Sequence, residues 1–89
     1  MHHYNITIQG KVQGVFYRAS AKEKADSLQI KGFVKNLANG DVYIEAEGEA
    51  GLLQEFVDWC KSGPPMAKVA GITSEVSPIK GFTSFQIER

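Results

Sequence analysis

From Tyr4 to Gln9 apolar and polar residues alternate, with Tyr4, Ile6 and Ile8 on one side and Asn5, Thr7 and Gln9 on the other, the period of a half-buried strand. The alternation stops at a glycine-punctuated stretch, Gly10 to Tyr17. Beyond it Ala21, Ala25 and Leu28 recur at helical spacing, while Lys22, Glu23, Lys24 and Asp26 occupy the other face. A second apolar segment, Ile30 to Ala38, leads to a third, Asp41 to Glu47, through Asn39 and Gly40, a pair that tolerates a tight hairpin turn. In the third segment Val42, Ile44 and Ala46 alternate with Tyr43, Glu45 and Glu47, which predicts one buried and one wet face. Leu52, Leu53, Phe56, Val57 and Cys60 mark the apolar stripe of a second helix that stops at Gly63, Pro64 and Pro65. A further strand spans Val69 to Val76. After turn signals around Pro78 and Gly81, the run Phe82, Ser84, Phe85, Gln86 and Ile87 predicts a last short strand.

The order strand, helix, hairpin, helix, strand predicts an α+β fold, the ferredoxin-like split βαβ sandwich, with an antiparallel sheet of four or five strands and two helices on one face. Such a fold carries many activities, so function has to be argued from a site. The chain of 89 residues with a 43% apolar share is enough for one core and is read as one domain, residues 1–89. Its formal net charge of zero supplies no chain-wide field for nucleic acid or an anionic membrane, so any anion site has to be local. Cys60 is the only cysteine, which excludes an intrachain disulfide and fits a reducing cytoplasm. No basic stretch precedes an apolar run at Met1 to Asn5, and no segment approaches membrane-spanning length, so the expectation is a soluble protein made at its working length.

Gly10, Lys11, Val12, Gln13, Gly14, Val15, Phe16, Tyr17 and Arg18 lie between the predicted end of a strand and the start of a helix. A helix N-terminus presents unpaired N–H groups and partial positive charge, and glycines let the preceding loop fold those donors around an anion. Arg18 in the first turn opposes the helix dipole, which favours acids there; a bound anion resolves the conflict. Its guanidinium fork matches phosphate oxygens, and Lys11 and Lys35 are candidates to add positive potential. Taken alone, the loop is equally consistent with a plain turn beside an exposed arginine. The nucleotide-binding pattern is excluded because Val15 and Phe16 follow Gly14 where Lys and Ser or Thr are required. A cysteine nucleophile is absent from the loop, so no phosphoenzyme is expected.

The second constellation is Gly32, Phe33, Val34, Lys35, Asn36, Leu37, Ala38, Asn39, Gly40, Asp41 and Val42. Together with the loop ending at Arg18, it resembles the two signatures of the acylphosphatase family, and the likeness extends over essentially the whole chain, including Gly63, Pro64 and Pro65. The resemblance implies that Arg18 binds the phosphate and Asn36 orients the attacking water, with backbone donors from Gln13, Gly14, Val15, Phe16 and Tyr17. It implies hydrolysis of small acyl phosphates by direct in-line attack of water, without metal, cofactor or phosphoenzyme. Independently, Asn is disfavoured in mid-strand, so Asn36 invites an explanation, the plainer one being an exposed edge position. Which sheet face carries it stays open, because Val34 and Asn36 compete with Phe33 and Leu37 for the core.

The departing group of an acyl phosphate is a carboxylate, whose conjugate acid has a pKa of about 4, so departure needs no proton at neutrality. The protein is asked for positioning and electrostatics, with no inflection of the pH profile like that of a histidine. The predicted partners are a small acyl phosphate and inorganic phosphate, as product and competitive inhibitor, with no nucleic acid, no membrane and a monomeric state. His2 and His3 are read as a mobile tail lacking the further ligands of a metal site, Cys60 beside Trp59 as packing, and Glu45, Glu47 and Glu49 as a solvated strand face and its end. The rivals are an RNA-binding module that stacks bases on Tyr43, and a domain serving a larger carbamoyl-phosphate machine.

Overall fold

The computed structural model describes every residue from Met1 to Arg89. The chain forms β1 (His2–Lys11), α1 (Tyr17–Ser27), β2 (Lys31–Asn36), β3 (Val42–Gly48), α2 (Ala50–Cys60), β4 (Lys68–Ser77) and β5 (Phe85–Ile87). The sheet order is β4-β1-β3-β2-β5. Ile6 and Ile8 of β1, Val34 of β2, and Val42, Ile44 and Ala46 of β3 point to one face, where they bury against Ala21 and Ala25 of α1 and Leu53, Phe56, Val57 and Cys60 of α2. Both apolar stripes read from the sequence thus cover the predicted face. No helix is long and apolar enough to cross a membrane.

Two details of the sheet differ from the sequence reading. The Asn39 to Gly40 turn is wider than a dipeptide: Leu37 N–H donates to the Asp41 carbonyl, and the Asn39 side chain accepts from the Asp41 N–H at 3.0 Å, a local Asx turn. The sheet is mixed rather than antiparallel throughout, because β5 runs parallel to β2, with Phe85, Gln86 and Ile87 opposite Gly32, Phe33 and Val34. β4 lies at one edge and ends beside His3. The chain then crosses the helix-free face to the other edge and enters β5 at the end of the sheet where β4 finished, so β5 runs opposite to β4 and hence in the same direction as β2.

That crossing overturns the reading of Glu45 and Glu47 as a solvated face and of His3 as a mobile tail. All three are buried. Glu47 accepts from the backbone N–H groups of Lys80, Gly81 and Phe82 and lies 2.7 Å from His3 Nδ1. His3 Nε2 faces Asn5 Oδ1 at 2.8 Å and Glu45 Oε1 at 3.2 Å, while Lys80 Nζ donates to Glu45 at 2.7 Å. Phe82 stacks on His3 and packs edge-on to Phe33. The alternation placed these groups correctly on one face; what it lacked was the strap of chain that covers them. Glu49 is exposed as expected and caps α2 by accepting from the Gly51 N–H.

Candidate active site

The carboxyl ends of β1, β2 and β5 and the N-terminus of α1 meet at one end of the sheet. The loop between β1 and α1 is held from beneath by three buried side chains: Val12 and Val15 enter the core, and the Tyr17 hydroxyl donates to the Cys60 carbonyl at 2.7 Å. Burial drives the Tyr17 phenol well above its ordinary range, so it stays a neutral anchor. The Cys60 thiol is pushed up to about 12, chiefly by burial, which agrees with packing rather than chemistry.

Above these anchors the backbone turns left-handed at Gly14 (φ 74°) and again at Phe16 (φ 66°), the residue that caps α1. Glycine adopts this conformation freely, whereas for phenylalanine it is strained. None of the N–H groups of Gln13, Gly14, Val15 and Phe16 donates to a carbonyl or side chain of the protein. No side chain caps α1, and its first turn holds no acid. Four consecutive free donors, followed by the open end of a helix, make a concave field of partial positive charge.

Arg18 stands in that first turn. Its Nη1 donates to the Glu88 carbonyl at 3.1 Å, just beyond β5. The Glu88 N–H in turn donates to Val34 of β2, and Lys22, one turn along α1, donates to the Phe85 carbonyl. The last strand therefore ties the Arg18 helix to the strand that carries Asn36.

Asn36 ends β2 on the same face as buried Val34, two residues earlier, which settles the orientation the sequence left open. Its side-chain Oδ1 is buried and has no hydrogen-bond partner, the single such atom in the molecule. A buried acceptor left unpaired is unfavourable by about 1–3 kcal/mol, and it belongs to a residue that lines the adjoining cavity. That cavity, about 310 Å³, is lined by Val12, Gly14, Phe16, Tyr17, Arg18, Ala19, Asn36 and Ile87.

Arg18, Asn36 and most of the loop thus converge. Lys35 does not: its Nζ lies over the Phe33 and Tyr43 rings on the opposite face of the sheet. Lys11 is exposed at the end of β1 and does not line the cavity. Tyr43 is occupied as well, packed against Phe33 with its hydroxyl bonded to Glu45 at 2.8 Å. Ile87 and the Glu88 carbonyl escaped the sequence reading, since neither a terminal isoleucine nor a backbone oxygen carries a site signal.

The sequence model of the acylphosphatase family matches residues 4–87. The acylphosphatase of Methylococcus capsulatus is 41% identical over 90 residues, covering all of this chain and 98% of that one. The crystal structure of acylphosphatase from Bacillus subtilis matches with a TM-score of 0.97 at 39% identity, each chain covered completely. The structure of T. kodakarensis HypF matches at 33% identity with a TM-score of 0.84, but the likeness spans only 12% of that larger chain. A match over nearly the full length, at this identity and on this fold, makes the chain a member of the acylphosphatase family.

Proposed function

We infer that the protein is an acylphosphatase, a hydrolase that splits the carboxyl–phosphate bond of small acyl phosphates. The observation that carries the reading of the site is the convergence on one cavity of Arg18, Asn36 and the loop residues Gly14 and Phe16, whose N–H groups are free. In the proposed reaction the phosphoryl oxygens lie in the loop from Gln13 to Tyr17 and take two parallel hydrogen bonds from Arg18. The Asn36 side-chain amide hydrogen-bonds a water and holds its oxygen in line with phosphorus. The water oxygen forms the new P–O bond as the bond to the acyl oxygen breaks. The carboxylate leaves with the electron pair, and the water proton passes to a phosphate oxygen or to solvent. Because the leaving group is already a weak base, neither a general acid nor a metal enters this scheme.

The same reading makes residues 1–89 one domain, acting in the cytoplasm as a monomer on small molecules, with inorganic phosphate as a competitive inhibitor. Tyr43, packed against Phe33 with its hydroxyl on the buried Glu45 carboxylate, is poorly suited to stacking on a nucleic-acid base. The test follows hydrolysis of benzoyl phosphate and of a phosphate monoester, with and without chelator, in the wild type and two variants. Chelator-resistant cleavage of the acyl phosphate alone is expected. Asn36→Ala should lower turnover about 100- to 1,000-fold while phosphate still inhibits, and Arg18→Ala should lose both turnover and inhibition. Phosphate inhibition retained in Arg18→Ala removes Arg18 from the site; unchanged turnover removes Asn36.

A further inference from the structure

Gln13 sits in the loop, yet its side chain does not line the cavity. Its Nε2 instead donates to two carbonyls of the β2–β3 hairpin, Leu37 at 2.8 Å and Asp41 at 2.9 Å. Leu37 directly follows Asn36, and Asp41 directly precedes Val42, the register partner of Asn36. The two carbonyls are thus the neck of the hairpin at the point where Asn36 projects. Pairing of β1 with β3 ends at Ile8 opposite Val42. Beyond it, the two bonds from Gln13 are the only hydrogen bonds joining Val12–Phe16 to Asn36–Val42. An amide NH₂ has two donors, and both are spent here.

We propose that Gln13 is a positioning residue for acyl phosphate hydrolysis, bracing the strand that carries Asn36 against the loop that leads into Arg18. The inference rests on the reading of the site given above. Its logic is geometric: the loop and Arg18 hold the phosphate, Asn36 holds the water, and the in-line distance between them is fixed by whatever joins the two segments. A misplacement of about 1 Å in such an arrangement is enough for a loss near 100-fold in turnover. Phosphate binding uses the loop side alone, so loosening the brace should separate turnover from affinity.

The test uses Gln13→Leu, which keeps the bulk and removes both donors, and Gln13→Glu, whose carboxylate faces two carbonyl oxygens and can donate only when protonated. Gln13→Leu should lower kcat about 10- to 100-fold, with the inhibition constant for inorganic phosphate within about 3-fold of the wild type. Gln13→Glu should show the same loss near pH 8 and recover part of it, about 3-fold, toward pH 5, as the carboxyl gains a proton and donates to one of the two carbonyls. The wild type should show no such recovery. If Gln13→Leu fails to fold, the acid recovery of Gln13→Glu still decides. Unchanged kcat, or kcat and phosphate affinity falling together, overturns the assignment. Absence of acyl phosphate hydrolysis by the wild type instead overturns the reading of the site, and the brace with it.

Discussion

Replacing Glu47 by Gln tests how much the covered face of the sheet contributes to stability. The Glu47 carboxylate is 2% exposed and accepts four hydrogen bonds, split evenly between its oxygens: His3 Nδ1 and the Lys80 N–H on Oε2, the Gly81 and Phe82 N–H groups on Oε1. An amide has one oxygen. With the NH₂ at the Oε1 position the Gly81 and Phe82 donors lose their acceptor; at the Oε2 position the Lys80 N–H does, and His3 has to change tautomer to accept. Hydrogen bonds to a charged acceptor contribute about 1.5–3 kcal/mol each, and breaking a buried charged network commonly destabilises by about 3–5 kcal/mol. The expected loss is therefore about 3–5 kcal/mol, a large share of the 5–15 kcal/mol typical of a domain. For a chain of this size each kcal/mol lowers Tm by roughly 4–8 °C, so the midpoint should fall by at least about 12 °C. Urea unfolding followed by circular dichroism at neutral pH measures it. Glu49→Gln is the control, because the exposed cap keeps an oxygen for the Gly51 N–H and should change stability by less than about 0.5 kcal/mol. A loss below about 1 kcal/mol for Glu47→Gln refutes the argument, for it would mean that the strap is held by Phe82 packing and the Lys80–Glu45 pair.

The same carboxylates predict the pH dependence of stability. Burial by itself raises the Glu45 and Glu47 carboxyls, but hydrogen bonds outweigh it, from Lys80 and Tyr43 to Glu45 and from Lys80, His3, Phe82 and Gly81 to Glu47, and both lie below the ordinary 4.5. A depressed folded-state value gives stability that is present above the unfolded value and lost as pH falls through the folded one, so urea midpoints should drop below about pH 4.5, and less so in Glu47→Gln. Gly32→Ala should destabilise by more than about 2 kcal/mol in the same assay, since φ there is 144° and an added Cβ would lie 1.8 Å from the Glu45 carbonyl oxygen; a smaller loss would show that β2 can shift. Phe16, 73% exposed at the cavity mouth on a left-handed backbone, is placed to meet the acyl group beside Ile87. Phe16→Asn should keep stability, because Asn accepts that backbone, and lower the kcat/KM preference for benzoyl over acetyl phosphate about 3- to 10-fold; an unchanged preference removes Phe16 from the acyl surroundings.

What the sequence disclosed and what it concealed divide along a physical line. Side-chain chemistry is written in the residues, so alternation in β1 and β3, the helical stripes, the glycine-punctuated loop and the misfit of an arginine in a first turn were all legible. Asn36 stood out by its poor strand propensity, and only the register of β2, with Val34 in the core, fixed its direction. Backbone donors and acceptors have no letter of their own. Glu47 was misread because its partners are the N–H groups of the strap, and the brace from Gln13 went unseen because its partners are two carbonyls. The parallel pairing of β5 was hidden for a related reason, since it depends on the path of that strap across the sheet. These concealed contacts are not separate from the legible ones. The strap carried by Glu47 delivers β5 to its place beside β2, and the carbonyl just after β5 holds Arg18. A change on the covered face can therefore reach the cavity at the end of the sheet through β5, while one at Gln13 acts from the loop side.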